Sequence, residues 1–265
     1  MRRTTLLLLL TLALSPVGGW AQTKLVILHT NDVHSQVEPA ANGLGGMVRM
    51  ATYVNDIRAT EDHVLLLSAG DFFQGTPYFN LFFGRVEIEL MNAMRYDAAC
   101  LGNHEFDYGM DTLAQRLREA RFPIVTANYD VSRTPLRDHV EPYTIIDRGG
   151  IRIGVIGIGV DLSSCAFDYL WNGMTIADPI ATANALAKQL KNEEHCHLVV
   201  CLSHIGHEDD FTLAENSSDI DIIIGGHTHH YLQEVRKNRN GINIPVVQAG
   251  KSGLQAGKIE VWINP

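Results

Sequence analysis

Short, continuous apolar runs rich in valine, isoleucine and leucine recur along most of the chain. They cover residues 25–28, 64–67, 98–101, 124–126, 151–158, 197–202, 220–224, 245–248 and 259–263. Such runs are typical of strands that are buried on both faces of a sheet. Between several of them, apolar residues recur at helical spacing, within residues 47–57, 88–94, 113–120 and 180–190. Strands and helices that alternate in this way predict a layered α/β domain.

One stretch breaks the alternation. Two strand-like runs within residues 143–158 flank Arg148-Gly149-Gly150, which predicts a β-hairpin. The sheets are therefore expected to be mixed rather than purely parallel. The sequence shows no internal repeat and no linker, so residues 22–265 are predicted to form one domain.

The charge balance narrows the class of partner. The 265-residue chain is 46% hydrophobic, and 21 basic residues face 30 acidic ones, which gives a net charge of −9. Proteins that bind nucleic acid need a basic surface, so nucleic acid is disfavoured as a partner. A small anionic substrate is still compatible with this charge, because bound metal cations reverse the sign locally.

The N-terminus resembles a targeting segment. Arg2 and Arg3 precede an apolar run over residues 6–14, and the small residues Gly19 and Ala21 suit cleavage after Ala21. Residues 1–21 are therefore predicted to be a signal peptide, and the protein to be exported to the periplasm or secreted. The run is shorter than the ~20 apolar residues that span a bilayer, so no stable membrane anchor is expected. The alternatives are a retained anchor and a twin-arginine signal, which only the arginine pair supports.

Export would place the four cysteines in an oxidising compartment. None of them forms a C-x-x-C motif, and Cys196 and Cys201 are predicted to lie on opposite faces of one strand, too far apart to pair. We therefore expect buried free thiols rather than a disulfide framework.

Polar residues that can bind metal or take part in catalysis follow the ends of several apolar runs. Five runs are each followed directly by aspartate, asparagine or histidine, usually beside glycine. These segments are residues 29–34, 68–71, 102–107, 203–204 and 225–229. The carboxyl ends of strands in an α/β sheet are where ligand sites form. Each segment alone is also compatible with a solvated loop or a turn, and it is their joint occurrence that favours a site.

The residue types indicate a metal site. Aspartate, histidine and a neutral asparagine oxygen, without a thiolate, suit catalytic Zn, Mn, Fe or Co. Asp32 and His34 are two positions apart, as are His227 and His229, so on extended backbone each pair shares one face. Asp71, in the central loop of the series, is the candidate to bridge two ions. Two metals ~3.5–4 Å apart would clamp a phosphoryl group.

Several neighbouring residues are expected to be structural. His29 is predicted to pack, His207 to be a surface or packing residue, and His230 to point away from the site because it follows His229 with the wrong parity. The phenylalanines within residues 72–83 are predicted to pack in the core, or to contact a partner where they are exposed.

At these residues the sequence resembles the calcineurin-like metallophosphoesterases, and specifically the N-terminal domain of secreted 5′-nucleotidases. The matching segments are Asp32-Val33-His34, Gly70-Asp71, Gly102-Asn103-His104-Glu105-Phe106-Asp107, Ser203-His204 and Gly226-His227-Thr228-His229. The resemblance implies a four-layer αββα sandwich, in which two mixed sheets are flanked by helices. It implies one ion held by Asp32, His34, Asp71 and His229. It implies a second ion held by Asp71, Asn103, His204 and His227.

The resemblance also assigns the chemistry. His104, oriented by Asp107, would stabilise the phosphoryl group and protonate the leaving group. The expected reaction is in-line attack of a metal-bridging hydroxide on phosphorus, which releases phosphate from a small phosphorylated substrate such as a nucleotide. The alternatives are a phosphodiesterase or pyrophosphohydrolase that acts on cyclic nucleotides or nucleotide sugars, a sulfur-oxidation hydrolase, and a metal-binding protein without turnover.

Family 5′-nucleotidases carry a second, C-terminal domain that binds the nucleoside, whereas this sequence ends at Pro265. The expectation is therefore that this domain is absent. A separate nucleoside-binding protein would then supply it, with this chain as a catalytic subunit, or else the substrate range would be broader.

Overall fold

The computed structural model describes residues 22–264, and the predicted signal peptide, residues 1–21, lies outside the described residues. The strands are β1 Thr23–Thr30, β2 Val64–Ser68, β3 Ala98–Cys100, β4 Ile124–Val125, β5 Tyr129–Asp130, β6 Tyr143–Arg148, β7 Ile151–Ile158, β8 Thr175–Ile176, β9 Leu198–Ser203, β10 Ile222–Ile224, β11 Tyr231–Lys237, β12 Asn243–Ala249 and β13 Gly257–Ile263. The helices are α1 Met47–Thr60, α2 Pro77–Phe82, α3 Arg85–Met94, α4 Gly109–Leu117, α5 Pro179–Asn192 and α6 His207–Glu215.

Two large sheets dominate the fold. The first has the strand order β13-β1-β2-β3-β4, in which β1 to β4 run parallel and β13 pairs antiparallel with β1. The second has the order β11-β12-β10-β9-β7-β6, with four parallel central strands and an antiparallel strand at each edge. Both sheets are mixed, and the hairpin predicted around Gly149 and Gly150 is the β6–β7 pair. These features confirm the predicted fold class.

Side chains alternate between two apolar layers along each central strand. In β1, Leu25 and Ile27 belong to the core between the two sheets, which also holds Val155 and Val200 of the second sheet. The intervening residues of β1 belong to a second core, which is completed by α1, α3 and α4. A third core lies between the second sheet and α5 and α6. Burial on both faces explains why the strands are continuous apolar runs.

Each of the four cysteines is a free thiol, as predicted. Cys100, Cys196 and Cys201 are buried, but Cys165 is exposed, so the prediction of buried thiols was wrong at that position. Cys165 follows a one-turn 3-10 helix over residues 162–164 on the surface, where no sheet covers it. Within residues 22–264 no helix is both long and apolar enough to cross a bilayer.

Candidate dinuclear metal centre

The loops that follow the parallel strands meet at one edge of the two sheets. They leave β1, β2 and β3 of the first sheet and β9 and β10 of the second. Backbone hydrogen bonds join them: Asp32 N–H donates to the Gly70 carbonyl at 2.9 Å, and His34 N–H donates to the Asp71 carbonyl at 2.9 Å. The backbone N–H of His227 donates to the Asp32 carboxylate at 3.0 Å, which ties the second sheet to the first.

Five of the predicted ligands have left-handed backbone conformations, so the expectation that each pair lies on extended backbone was wrong. Their φ angles are 49° at Asp32, 51° at His34, 53° at Asp71, 73° at His227 and 57° at His229. Such angles cost free energy for residues other than glycine and persist where the surrounding structure enforces them. The hydrogen bonds between the loops provide that enforcement. Strain of this kind is typical of functional sites.

One cluster combines Asp32, His34 and His229. The Nε2 atoms of His34 and His229 lie 2.8 Å apart. Asp32 Oδ1 lies 3.3 Å from Nε2 of His229 and 3.9 Å from Nε2 of His34. The ligand atoms of these three side chains all lie within 4.8 Å of one another, which is close enough to share one ion.

A second cluster forms around Asp71 and the fully buried His204. Nε2 of His204 lies 3.0 Å from Asp71 Oδ2. Beside it, Nδ1 of His227 lies 3.0 Å from Oδ1 of Asn103. Asp71 Oδ2 also lies 4.0 Å from Nε2 of His34. Asp71 is therefore positioned between the two clusters.

Close packing at this point excludes larger residues. Gly102 and Gly70 lie against the two groups of the second cluster: a Cβ added to Gly102 would come within 2.2 Å of Asp71 Oδ1, and one added to Gly70 within 2.8 Å of His204 Nδ1. The glycines beside the polar residues thus allow the backbone to approach the ligand side chains.

The donors fit divalent metal ions. Nδ1 of His204 donates to the Ala69 carbonyl at 2.6 Å, which leaves Nε2 facing the site. That buried Nε2 has no hydrogen bond of regular geometry within the described chain. Hydrogen bonding of one ring nitrogen to a carbonyl is the usual way in which a metal-binding histidine is oriented. Nitrogen and oxygen donors without a thiolate suit the predicted metals.

The pKa values of the candidate ligands also favour the binding of cations. Burial lowers the pKa of His34 and of His227, so both imidazoles are neutral and free to bind metal. Burial alone would also lower the pKa of His204, but the negative charge of Asp71 close to Nε2 outweighs it and raises that pKa to about 10. Burial alone would raise the pKa of Asp71, yet the neighbouring histidines, His204 first, hold it well below its usual range.

His104 and Asp107 form a pair at the rim of the clusters. Nδ1–H of His104 donates to Asp107 Oδ2 at 3.0 Å, and each side chain is about one-third exposed. Burial alone would lower the pKa of His104, but the hydrogen bond to Asp107 and the charge of Asp71 reverse that effect, so its pKa is raised. The ligand atoms of His104, His34 and Asp71 also lie within 4.8 Å of one another, so these three side chains are close enough to share an ion.

Sequence reasoning missed the role of Glu105. This buried carboxylate accepts backbone N–H groups from Asp71 at 2.9 Å, Phe73 at 3.0 Å and Gly102 at 2.6 Å. It therefore joins the loops after β2 and β3. Burial raises its pKa to about 7, and the nearby charge of Asp71 adds to that effect. Its place in the matching segment Gly102–Asp107 was the signal that the sequence offered, but that segment gave Glu105 no role of its own.

Asn31 was also missed. Its side-chain amide donates to Asp32 Oδ2 at 2.6 Å and to the Gly250 carbonyl at 2.8 Å, and it accepts from the Ala249 backbone at 2.7 Å. Asn31 therefore orients the Asp32 carboxylate and anchors it to the end of β12.

The residues expected to be structural behave largely as predicted. His29 is buried and lies against Gly257. His230 packs against His207, with ring centroids 4.3 Å apart. Neither histidine belongs to a group of side chains in residues 22–264 that is close enough to hold a metal ion. His207 also contacts Thr228, with Nδ1 3.1 Å from Oγ1, so it supports the loop that carries His227 and His229. Of the phenylalanines within residues 72–83, those at 72, 73 and 79 are buried in the core, whereas those at 82 and 83 are exposed.

Comparison with known proteins agrees with this geometry. The model of the calcineurin-like phosphoesterase family matches residues 25–231, and the chain belongs to that family. Within it, the chain corresponds to the N-terminal, metal-dependent phosphoesterase domain of the 5′-nucleotidases.

Human 5′-nucleotidase is 34% identical over 291 residues, which cover 97% of this chain and 49% of the relative. The structure of a 5′-nucleotidase precursor from Thermus thermophilus matches with a TM-score of 0.84 and 33% identity, covering 90% of this chain and 51% of that one. The NAD nucleotidase of Haemophilus influenzae matches with a TM-score of 0.83 and 29% identity, covering 92% and 48%. The chain spans about half the length of the curated 5′-nucleotidases that it matches.

Proposed function

We propose that this chain is a dinuclear-metal-dependent hydrolase that releases phosphate from nucleotides or related phosphate esters. The observation that carries the proposal is the position of Asp71, whose carboxylate lies 3.0 Å from His204 Nε2 and 4.0 Å from His34 Nε2. A carboxylate between two groups of nitrogen and oxygen donors is suited to bridge two divalent ions.

The residues divide between two ions in this proposal. One ion is held by Asp32, His34, Asp71 and His229. The other is held by Asp71, Asn103, His204 and His227. Zn, Mn, Co and Fe all accept these donors. When bound, the two ions polarise the phosphoryl group and lower the pKa of a coordinated water.

The remaining chemistry belongs to the side chains. The raised pKa of His104 favours the protonated ring, which can donate to a phosphoryl oxygen or to the leaving oxygen. Asp107 holds the imidazole through Nδ1, which leaves Nε2 to face the substrate. Glu105 and Asn31 fix the loops and the Asp32 carboxylate, so the charged groups are oriented before substrate binds.

The proposal covers the hydrolytic step. Because the matched relatives are about twice as long as this chain, we attribute selection of the nucleoside base to a further nucleoside-binding domain or to a separate chain. Export to the periplasm or secretion, after removal of residues 1–21, is part of the same proposal and is supported by the basic and apolar N-terminal sequence.

The similarity to an NAD nucleotidase favours a second candidate, hydrolysis of a pyrophosphate linkage by the same centre. The test is hydrolysis of AMP, NAD and a synthetic phosphodiester by the purified chain, with the products of each substrate identified by chromatography, before and after chelation and after addition of Mn, Co or Zn. Metal-restored hydrolysis of AMP supports the first candidate, and selective cleavage of NAD supports the second. A chain that binds metal and cleaves none of the three would contradict both.

A further inference from the structure

The end of β12 carries a buried side-chain amide that has no part in the hydrolytic step described above. Gln248 is 1% exposed and is the residue before the last one of the strand. β12 lies beside β10, and the loop that follows β10, residues 225–230, carries the predicted ligands His227 and His229. The Gln248 amide forms three hydrogen bonds to this loop.

Two backbone groups fix the orientation of the Gln248 amide. Nε2 donates to the Gly226 carbonyl at 2.8 Å, and Oε1 accepts from the His230 backbone N–H at 3.2 Å. A carbonyl can only accept and a backbone N–H can only donate, so a reversed amide would lose both bonds. The Thr228 hydroxyl then donates to Oε1 at 3.1 Å and accepts from Nδ1 of His207 at 3.1 Å. The polar groups of this contact thus fit together in one arrangement.

The backbone conformation of the loop requires such support. His227 and His229 have φ angles of 73° and 57°, which cost free energy unless surrounding contacts enforce them. The loop is also tightly packed on its inner side. A Cβ added to Gly226, whose carbonyl Gln248 holds, would come within 2.7 Å of His204 Nδ1. The start of the loop therefore lies between a proposed ligand and the Gln248 amide.

The end of β12 also holds the ligand loop of the first sheet. The backbone N–H of Ala249 donates to the Asn31 amide oxygen at 2.7 Å, and the Asn31 amide donates to Asp32 Oδ2 at 2.6 Å. The Asp32 carboxylate accepts from the backbone N–H of His227 at 3.0 Å. These contacts close a ring from Gln248 through the ligand loop to Asp32 and back to β12. A shift at Gln248 is therefore transmitted to ligands from both sheets.

We propose that Gln248 is a positioning residue for the dinuclear centre, whose amide sets the loop so that the His227 and His229 imidazoles each reach their ion. The inference rests on the proposed function, in which His229 binds one ion and His227 the other. Gln248 contacts neither ion and acts through the loop. Loss of its amide should therefore weaken the binding of both ions, whereas loss of a ligand that belongs to one ion should weaken mainly that ion.

The test variant is Gln248→Met, which keeps the length of the side chain and removes the amide. The Gly226 carbonyl and the His230 N–H then lose their partner. We expect the affinity for both ions, measured with Zn by chelator competition, to fall about 10- to 100-fold, the usual effect of removing a group that holds metal ligands. Gln233→Met is the matched control and should change neither affinity, because Gln233 is exposed on β11.

Amide hydrogen exchange provides a readout without metal. In chelator-treated Gln248→Met, residues 226–230 should exchange about tenfold faster or more, because the His230 N–H has lost its acceptor, while β9 and β10 keep their protection.

A second control, Ile244→Val, separates this effect from a general loss of stability. Ile244 is buried on the same strand, in the core between the second sheet and α5 and α6, and loss of a buried methylene destabilises the fold. This variant should unfold at a lower urea concentration, with metal affinity and loop exchange unchanged.

The outcomes distinguish the two proposals. Faster exchange of residues 226–230 together with weaker binding of both ions supports the positioning role. Unchanged metal affinity in Gln248→Met would overturn it, as would selective loss of one ion or equal changes in Ile244→Val. If binding and exchange change as expected but the unsubstituted chain hydrolyses no phosphate ester, the proposed function is contradicted and the positioning role stands. A chain that binds neither ion would contradict both proposals.

Discussion

The Nε2 atoms of His34 and His229 lie 2.8 Å apart, although 195 positions separate the two residues in the sequence. Burial lowers the pKa of His34, so this is not a pair of charged rings. The Asp32 carboxylate lies 3.3 Å from the His229 nitrogen. Two ring nitrogens and a carboxylate oxygen lie close enough together to share one ion, and the left-handed backbone at all three residues holds them there.

Replacement of the proposed bridge should affect both ions. In Asp71→Asn the charge that pairs with His204 is lost, and a neutral amide oxygen bridges two cations poorly. We expect metal content to fall from about two ions per chain to about one or fewer, with the largest loss of activity among the ligand variants. Elemental analysis and phosphate release on the same sample measure both effects. Asp56→Asn, an exposed position on α1, is the control, and a fully loaded Asp71→Asn would contradict the bridging role.

Removal of His104 should separate chemistry from metal binding. His104→Ala should lower kcat by about 10²- to 10⁴-fold, the range typical of a proton donor, while metal content stays near two ions. Asp107→Asn should lower kcat in the same direction but less, because Asp107 only orients the ring. If His104→Ala loses metal in proportion to activity, His104 is a metal ligand rather than a proton donor. Its position close to His34 and Asp71 would be consistent with that role.

Glu105 should matter through the backbone it holds. Glu105→Gln replaces one accepting oxygen by an amide that donates, so at least one of the three backbone N–H groups is left without an acceptor. We expect metal affinity or kcat to fall about 10- to 100-fold, as is usual for groups that support ligands. Chelator competition measures the affinity. Glu89→Gln, on the exposed face of α3, is the control and should change neither value.

Asp210 should give the chain a pH-dependent stability. Its side chain is fully buried on α6 and forms no ion pair within residues 22–264. Burial raises its pKa from 3.8 to about 7. The folded state therefore keeps a proton that the unfolded state releases, and the associated stability, on the order of 4 kcal/mol, is present below pH 4 and lost as pH rises to about 7.

Asp210→Asn removes that titration. In chelator-treated protein, the free energy of unfolding of the variant should fall less between pH 4 and pH 8 than that of the unsubstituted chain, and at pH 8 the variant should be the more stable. Urea unfolding at each pH measures the difference. Asp209→Asn, at the adjacent exposed position, should follow the unsubstituted chain. Parallel curves for Asp210→Asn would show that Asp210 titrates normally.

The sequence was most informative where burial is two-sided. Central strands such as β7 and β9 are continuous apolar runs, so their positions could be predicted within one or two residues. The edge strand β11 was missed because most of its side chains are exposed and it has no such run. Helix α6 was missed because its first turn holds three acidic residues, one of them the buried Asp210. Tertiary packing, rather than local pattern, determines these elements.

The site was predictable as a set of strand ends, and its internal geometry was not. The seven predicted ligands all lie at the same edge of the two sheets, because parallel strands end there. The left-handed backbone of Asp32 and Asp71 and the clamp formed by Glu105 depend on contacts between loops that are distant in sequence. Sequence spacing also could not show that Phe167 and Tyr169 are exposed beside Asp107.

The proposed hydrolysis of phosphate esters requires two ions, bound by this chain, that act together. The direct measurement is titration of the metal-free chain with Mn or Zn, with bound metal and phosphate release from AMP recorded on the same samples. We expect little activity up to about one ion per chain and a steep rise to a plateau near two. Full activity at one ion or fewer per chain would contradict it.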